Sequence, residues 1–385
     1  MERHRLDSSE KRKTKSQAEV AAKFSGEQLR LARNFHGLTL VDLGARVAAD
    51  PGFLSRIETG KQEPGTSLLT ALAEELGFSE QFFFTNVADP FSLEECHFRH
   101  LQRATKRLKE VVLAEGTLVG ELVGRLAEAL DLPRFNVPEI IAASEDEIEE
   151  AARRCRVHWG LGENSRISNM VRLAENAGIV VVRLSENSRD VDAFSRFGRV
   201  SVIVLNDDKK SATRSRFDVG HELGHLVMHR GKETGDPITE GQANRFASAL
   251  LLPRDEFTRT FRQMPGLSWA HLFEMKRQWK VSVAAIVRRG YDLGLLSEAE
   301  YRRAYKYLHF KGWHLGEPQE PPLEVPELLG LALDAYGEGT SVDLRDLAAA
   351  LHWKGTVMER IAGRPFPPLP QTGNVTNIES RLRRV

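Results

Sequence analysis

The chain has 385 residues, 41% hydrophobic and 28% charged, which is room for two or three globular domains. Its 54 Lys and Arg balance 54 Asp and Glu, so the molecule as a whole is not a polycation drawn to nucleic acid. No run approaches the roughly 18 apolar residues of a membrane span. The two cysteines, Cys96 and Cys155, give no disulfide framework, and a reducing cytoplasm is the expected compartment.

The start, Met1-Glu2-Arg3-His4-Arg5, is charged and has no apolar segment behind it, so no ordinary secretory signal is expected. Residues 1–23 read as a disordered basic arm. Residues 24–83 read as a compact helical module. Its first helix covers Gly26 to Arg33. The second runs from Leu38 to Val47 with Thr39 as N-cap, and the third has Asp50 as N-cap and Pro51 at the first helical position. Leu29-x-x-x-Arg33 and Leu54-Ser55-Arg56-Ile57-Glu58-x-Gly60-Lys61 resemble the helix-turn-helix domain of the Xre/Cro family. The resemblance implies a third helix that enters the major groove.

This chain departs from a good DNA reader. Pro51, Gly52 and Phe53 stand where base edges would be read, and none has a side-chain donor. Residues 24–80 hold five Arg and Lys (30, 33, 46, 56, 61) against eight Asp and Glu (27, 42, 50, 58, 63, 74, 75, 80). Arg56 and Lys61 remain candidate DNA contacts, and a protein-docking module is the competing reading.

Residues 84–138 read as a helical connector. Between His97 and Lys109 a basic helix is predicted, with Arg99, Arg103 and Lys106 on one face at i, i+4 and i+7. It suits nucleic acid or an acidic partner, or is a solvated face. An apolar helix follows from Val111, and Leu132-Pro133 and Val137-Pro138 mark a boundary.

Residues 139–311 carry the chemistry. Ser144 with Glu147 forms a capping box. After a helix from Ser168 to Gly178, the stretches Ile179–Leu184, Asp192–Phe197 and Val200–Leu205 predict a small sheet, so the fold class is α+β and mostly helical. His221-Glu222-Leu223-Gly224-His225 reads H-E-x-x-H. On a helix the two histidines share a face and suit one zinc ion, and Glu222 beside them can take a proton from bound water. A catalytic zinc needs a third protein ligand. The next helix offers Glu240, on the stripe of Ala243, Phe246, Ala247, Leu250 and Leu251, and Glu233 and Asp236 in the loop before it are alternatives.

Three segments together resemble the ImmA/IrrE family of metallopeptidases, over roughly residues 140–290. They are Asp192-Ala193-Phe194-Ser195, Arg216-Phe217-Asp218-x-x-His221-Glu222-Leu223-Gly224-His225, and Glu240-x-x-Ala243-Asn244-x-Phe246-Ala247-x-x-Leu250-Leu251-x-Pro253. The resemblance implies a zincin-like domain with a gluzincin-like site, in which His221, His225 and Glu240 hold one Zn2+ per chain and Glu222 is the catalytic base. It also implies a protein substrate, often a helix-turn-helix repressor cleaved to release stress, prophage or mobile-element genes.

Residues 312–385 read as a linker around Glu317-Pro318-Gln319-Glu320-Pro321-Pro322, a small helical unit and a flexible tail. Two rival functions stand beside the peptidase. One is a DNA-binding transcriptional regulator with a zinc-sensing domain, and the other is an interaction protein that docks a repressor. Glu222 speaks against a sensor, because holding zinc requires no base.

Overall fold

The computed structural model describes residues 23–93, 96–98, 105–184, 193–206, 211–263, 267–339 and 344–365. The expected N-terminal arm, the tail beyond residue 365, Arg99 and Arg103 lie outside the described residues. The chain divides into two compact units, Met1–Ala88 with His352–Lys354, and Asp89–Leu351 with Gly355–Val385.

In the first unit, α1 (Gly26–Phe35), α2 (Leu40–Val47), α3 (Pro51–Glu58) and α4 (Thr66–Leu76) are followed by a 3-10 turn at Glu80–Phe84. Each early boundary has a local cause. Ser25, Thr39 and Asp50 accept hydrogen bonds from the backbone at the helix starts, and Gly77 ends α4 at φ 72°. Phe35, Phe78, Phe82 and Phe83 are fully buried and form the aromatic centre. Trp353 bridges to Phe78 as an isolated β-pair.

Two of the family-like residues, Arg33 and Glu58, hold this unit together. Arg33 Nε donates to Glu58 Oε1 at 2.6 Å and its Nη1 to the Leu38 carbonyl at 2.6 Å, all buried. This ties α1 to α3 and to the turn before α2. Gly26 lets the helices approach, since a Cβ there would stand 2.4 Å from the Ile57 carbonyl oxygen.

The second unit contains a four-stranded sheet in the order β1–β3–β4–β2, built from β1 (Cys96–Phe98), β2 (Val180–Leu184), β3 (Ala193–Arg196) and β4 (Val202–Asn206). β2 runs parallel to β4, and β3 is antiparallel to both β4 and β1. β3 and β4 are buried along their whole lengths. Helices α5 (Lys106–Ala127), α6 (Glu145–His158), α7 (Met170–Asn176), α8 (Ala212–Met228), α9 (Pro237–Leu251), α10 (Arg254–Phe261), α11 (Trp269–Trp279), α12 (Val283–Asp292) and α13 (Glu298–Phe310) account for most of the rest, with α14 (Leu328–Gly339), α15 (Leu344–Ala350) and α16 (Gly355–Ala362) after them. One core is shared by Val181, Ile203, Val219, Leu223, Phe246, Leu250 and Ile286. The protein is thus mostly helical with a small sheet.

The predicted basic helix from His97 is corrected. Residues 96–98 pair as β1 with β3, register Cys96 to Arg196, so their backbone serves a ladder and not a helix. The helix begins only at Lys106, where Thr105 Oγ1 accepts from the Leu108 amide. Lys106 is exposed, 3.8 Å from Glu110. The Pro-rich run around Glu317–Pro322, expected as a linker, is hydrogen-bonded to α8, α11 and α12 through Glu317 and Glu320.

Gly26→Ala forces a methyl group into the Ile57 carbonyl and lowers unfolding free energy by roughly 3 kcal/mol. Denaturant unfolding followed by circular dichroism reads this, and an unchanged midpoint would contradict so close an α1–α3 approach.

Candidate metal centre

Helix α8 is buried almost throughout its 17 residues. Ser211 caps it, its Oγ accepting from the Arg214 amide. Val219, Leu223, Leu226 and Val227 join the core, which leaves His221 and His225 toward α9. The two helices pack closely because Gly224 has no side chain. A Cβ there would meet the Phe246 ring at 3.1 Å and Ala243 Cα at 3.2 Å. Helix α9 starts where Asp236 accepts from the amides of Ile238 and Thr239, with Pro237 at the first position. That start puts Glu240 in the first turn, facing the histidines.

His221, His225 and Glu240 come together. His221 Nε2 lies 3.3 Å from Glu240 Oε2, His225 Nε2 lies 3.3 Å from Glu240 Oε1, and the two Nε2 atoms are 3.0 Å apart. Ligands about 2.0 Å from a tetrahedral metal stand about 3.3 Å from one another. The triangle therefore has the edge length of one face of such a site. Among the described residues this is the one group of three or more His, Cys, Asp or Glu side chains so placed. Asp236 caps α9 and Glu233 is exposed, and neither joins the cluster. Both cysteines stay outside it too. Cys155 is buried in α6, and burial pushes its thiol up to about 12.

Neighbouring side chains fix the imidazole tautomers. His221 Nδ1 is 3.1 Å from Asn244 Oδ1, which can only accept, so the proton sits on Nδ1 and the Nε2 lone pair points at the cluster. His225 Nδ1 meets His229 Nδ1 at 2.9 Å, and His229 Nε2 meets Gln242 Oε1 at 2.8 Å. Gln242 Oε1 accepts from His229 Nε2–H, so His229 Nδ1 accepts from His225 Nδ1–H. This frees His225 Nε2 in turn.

Two lone pairs and a carboxylate at these distances repel unless they share a cation. Burial depresses His225 to about 4 and also lowers His229. Burial raises the Glu240 carboxyl, and only imidazoles that present a proton or positive charge to it hold it below the usual carboxylate range, so the carboxylate needs a positive partner on this face. A divalent cation fits the donor set.

Glu222 is fully buried beside the cluster. Ser195 Oγ on β3 donates to its Oε2 at 2.7 Å. The roles of Ser195, Asn244 and Gln242 are not predicted from sequence, whereas His229, two turns beyond His221 on nearly the same helix face, is expected to support or pack beside the ligands. Their only signal is position, since Asn244 stands four residues after Glu240, and His229 four after His225. Ser195 reaches Glu222 from another element altogether.

Of the candidate DNA contacts, Arg56 Nε donates to Gln62 Oε1 at 2.7 Å and its guanidinium lies over Phe53, while Lys61 is exposed. Gly52 is exposed and Phe53 half-buried on the outer face of α3.

Residues 174–290 match the family model described as the IrrE N-terminal-like domain of peptidase family M78, and residues 26–81 match a model described as a helix-turn-helix domain. The chain thus carries a helix-turn-helix domain followed by an M78 peptidase domain. Comparison with curated proteins gives no match. Among the described residues no helix is long and apolar enough to cross a membrane.

The depressed His225 gives the metal-free protein a defined pH response. The unfolded chain takes up a proton near pH 6.5, whereas the folded chain resists until about 4. Unfolding free energy therefore falls as pH drops through that window, by up to about 1.4 kcal/mol per pH unit for this one proton. His225→Gln should show a shallower slope, and equal slopes in the two proteins would assign the loss to other groups.

Proposed function

We propose that the chain is a zinc-dependent endopeptidase whose helix-turn-helix domain directs it to DNA or to a protein partner. The observation that supports this best is the convergence of His221 Nε2, His225 Nε2 and the Glu240 carboxylate beside buried Glu222. In this gluzincin-like reading the first three are the metal ligands and Glu222 is the base. A bound zinc ion supplies Lewis acidity, which makes a coordinated water acidic enough to ionise near neutral pH.

The chain's own residues do the rest. Glu222 accepts the water proton as oxygen adds to the peptide carbonyl carbon. It then delivers that proton to the departing amine nitrogen as the C–N bond breaks. Ser195, donating to Glu222 Oε2, holds the carboxylate plane through both transfers. Asn244 and the His229–Gln242 pair keep both imidazoles in the ligating tautomer. Glu222 favours hydrolysis over the zinc-sensor reading, in which no base is required.

The proposed substrate is a protein, a helix-turn-helix repressor whose cleavage releases stress, prophage or mobile-element genes, and the proposed compartment is the cytoplasm. Arg56 and Lys61, with Arg99, Arg103 and Lys106 of the connector, are the proposed DNA contacts. A specific observation supports docking to a protein instead: Val41 on α2 is 66% exposed, and Gly52 and half-buried Phe53 stand on α3 where base edges would be read. A salt titration on random-sequence DNA separates the two. Phosphate contacts give affinity that falls steeply with salt, and a docking module gives no binding at any salt.

For the peptidase, purified wild type should hold about one zinc per chain. His221→Ala should lose it and Glu240→Gln should weaken it, whereas Glu222→Gln should keep it. Cleavage of co-expressed repressors should be lost in all three variants. Zinc-free wild type would sink the proposal.

A further inference from the structure

The matched peptidase segment ends at residue 290, yet the metal-bearing helix is held by residues well beyond it. Glu320 Oε2 accepts from the Thr213 amide at 2.9 Å and from Ser211 Oγ at 3.1 Å, and Oε1 accepts from Thr213 Oγ1 at 2.9 Å. These groups are the cap and first turn of α8. The same carboxylate pairs at 2.6 Å with Lys276 Nζ on α11, whose side chain is 0% exposed. Glu317 also binds Lys276, at 2.9 Å, and accepts from the Val283 and Ala284 amides at the start of α12. Glu324 accepts from the Met170 and Val171 amides at the start of α7 and pairs with buried Arg216, one turn along α8 from Thr213.

Three carboxylates in eight residues thus sit on three helix N-termini and neutralise two buried cations. Negative charge suits each N-terminus, and a buried cation left without its partner is strongly unfavourable. That argues that residues 315–327 form a fixed strap and not a lid. Between α8 and the strap lies a cavity of about 1310 Å3, which Thr213, Phe217 and Asp218 line from α8 and Leu315, Glu317 and Glu320 from the strap. The strap thus holds the start of α8 and forms part of the cavity wall. Thr213 is eight residues from His221, about 12 Å along a rigid helix, so displacement at the first turn reaches the ligands.

We infer that Glu320 is a positioning residue for the metal centre, acting through the first turn of α8, and that the strap is part of the peptidase machinery. The inference rests on the peptidase reading above. The test uses the full chain loaded with Co2+, read by its visible d–d spectrum, by chelator competition and by kcat and KM. Glu320→Ala should weaken Co2+ binding about tenfold or more, shift the visible bands and lower kcat with little change in KM. Glu320→Gln keeps an acceptor for Thr213 but loses the charge facing Lys276, and should fall between Glu320→Ala and wild type. Glu327→Ala, a control on the exposed end of the strap, should match wild type. Should Glu320→Ala not accumulate as folded protein, Glu320→Gln decides by the same readings. A lower melting temperature with unaltered spectrum and affinity would make Glu320 a stability residue only and overturn the inference. Wild type that binds no Co2+ would sink the peptidase reading itself, whatever Glu320 does.

Discussion

Two imidazole nitrogens 3.0 Å apart, facing a carboxylate at 3.3 Å, are the interaction on which this molecule depends. Such an arrangement is repulsive by itself and persists because the surrounding fold imposes it. The close crossing of α8 and α9, permitted by Gly224, brings the two helices within reach. Asn244 and the His229–Gln242 pair then remove the freedom of each ring to turn its proton inward. The donor set suits a cation, and the surrounding packing holds the donors in place.

Rigidity is bought with buried charge. Arg289, fully buried on α12, makes a two-pronged pair with Glu149 on α6 and donates to the Leu252 carbonyl beyond the end of α9. Arg156 closes the other side through the Leu250 carbonyl. Arg216 and Lys276 are satisfied by the strap. A well-packed apolar pair could match such bridges in stability. What charge pairs add is a fixed register between helices, because each has one geometry in which every proton is matched. An active site that tolerates errors of only about 0.5 Å has use for that.

The helix-turn-helix unit follows the same economy. Arg33 and Glu58, which stand in the family-like segments, are consumed by the fold, and Arg56 is held by Gln62 and Phe53. On α3 Gly52 and Arg56 are exposed, and Pro51, Phe53 and Ser55 are half-buried.

Local physics made much of this legible from sequence. The 3.6-residue period puts His221 and His225 on one face, and capping residues marked the starts of α2, α3 and α6. Alternation and β-branching marked β2 and β4. Other features required distant segments to meet. Choosing Glu240 over Glu233 and Asp236 as the neighbour of the histidines depended on where α9 crosses α8. The strand at Cys96–Phe98 was hidden under a basic helical pattern, because only pairing with β3 makes it a strand. The carboxylates at 317, 320 and 324 looked like a Pro-rich linker, because a helix N-terminus that receives a carboxylate leaves no mark in the sequence around that carboxylate. Sequence alone determined periodicity, caps and residue chemistry, which act over a few residues. Tertiary structure decided which carboxylate meets which amide or imidazole, because that choice is set by packing across a hundred residues of chain.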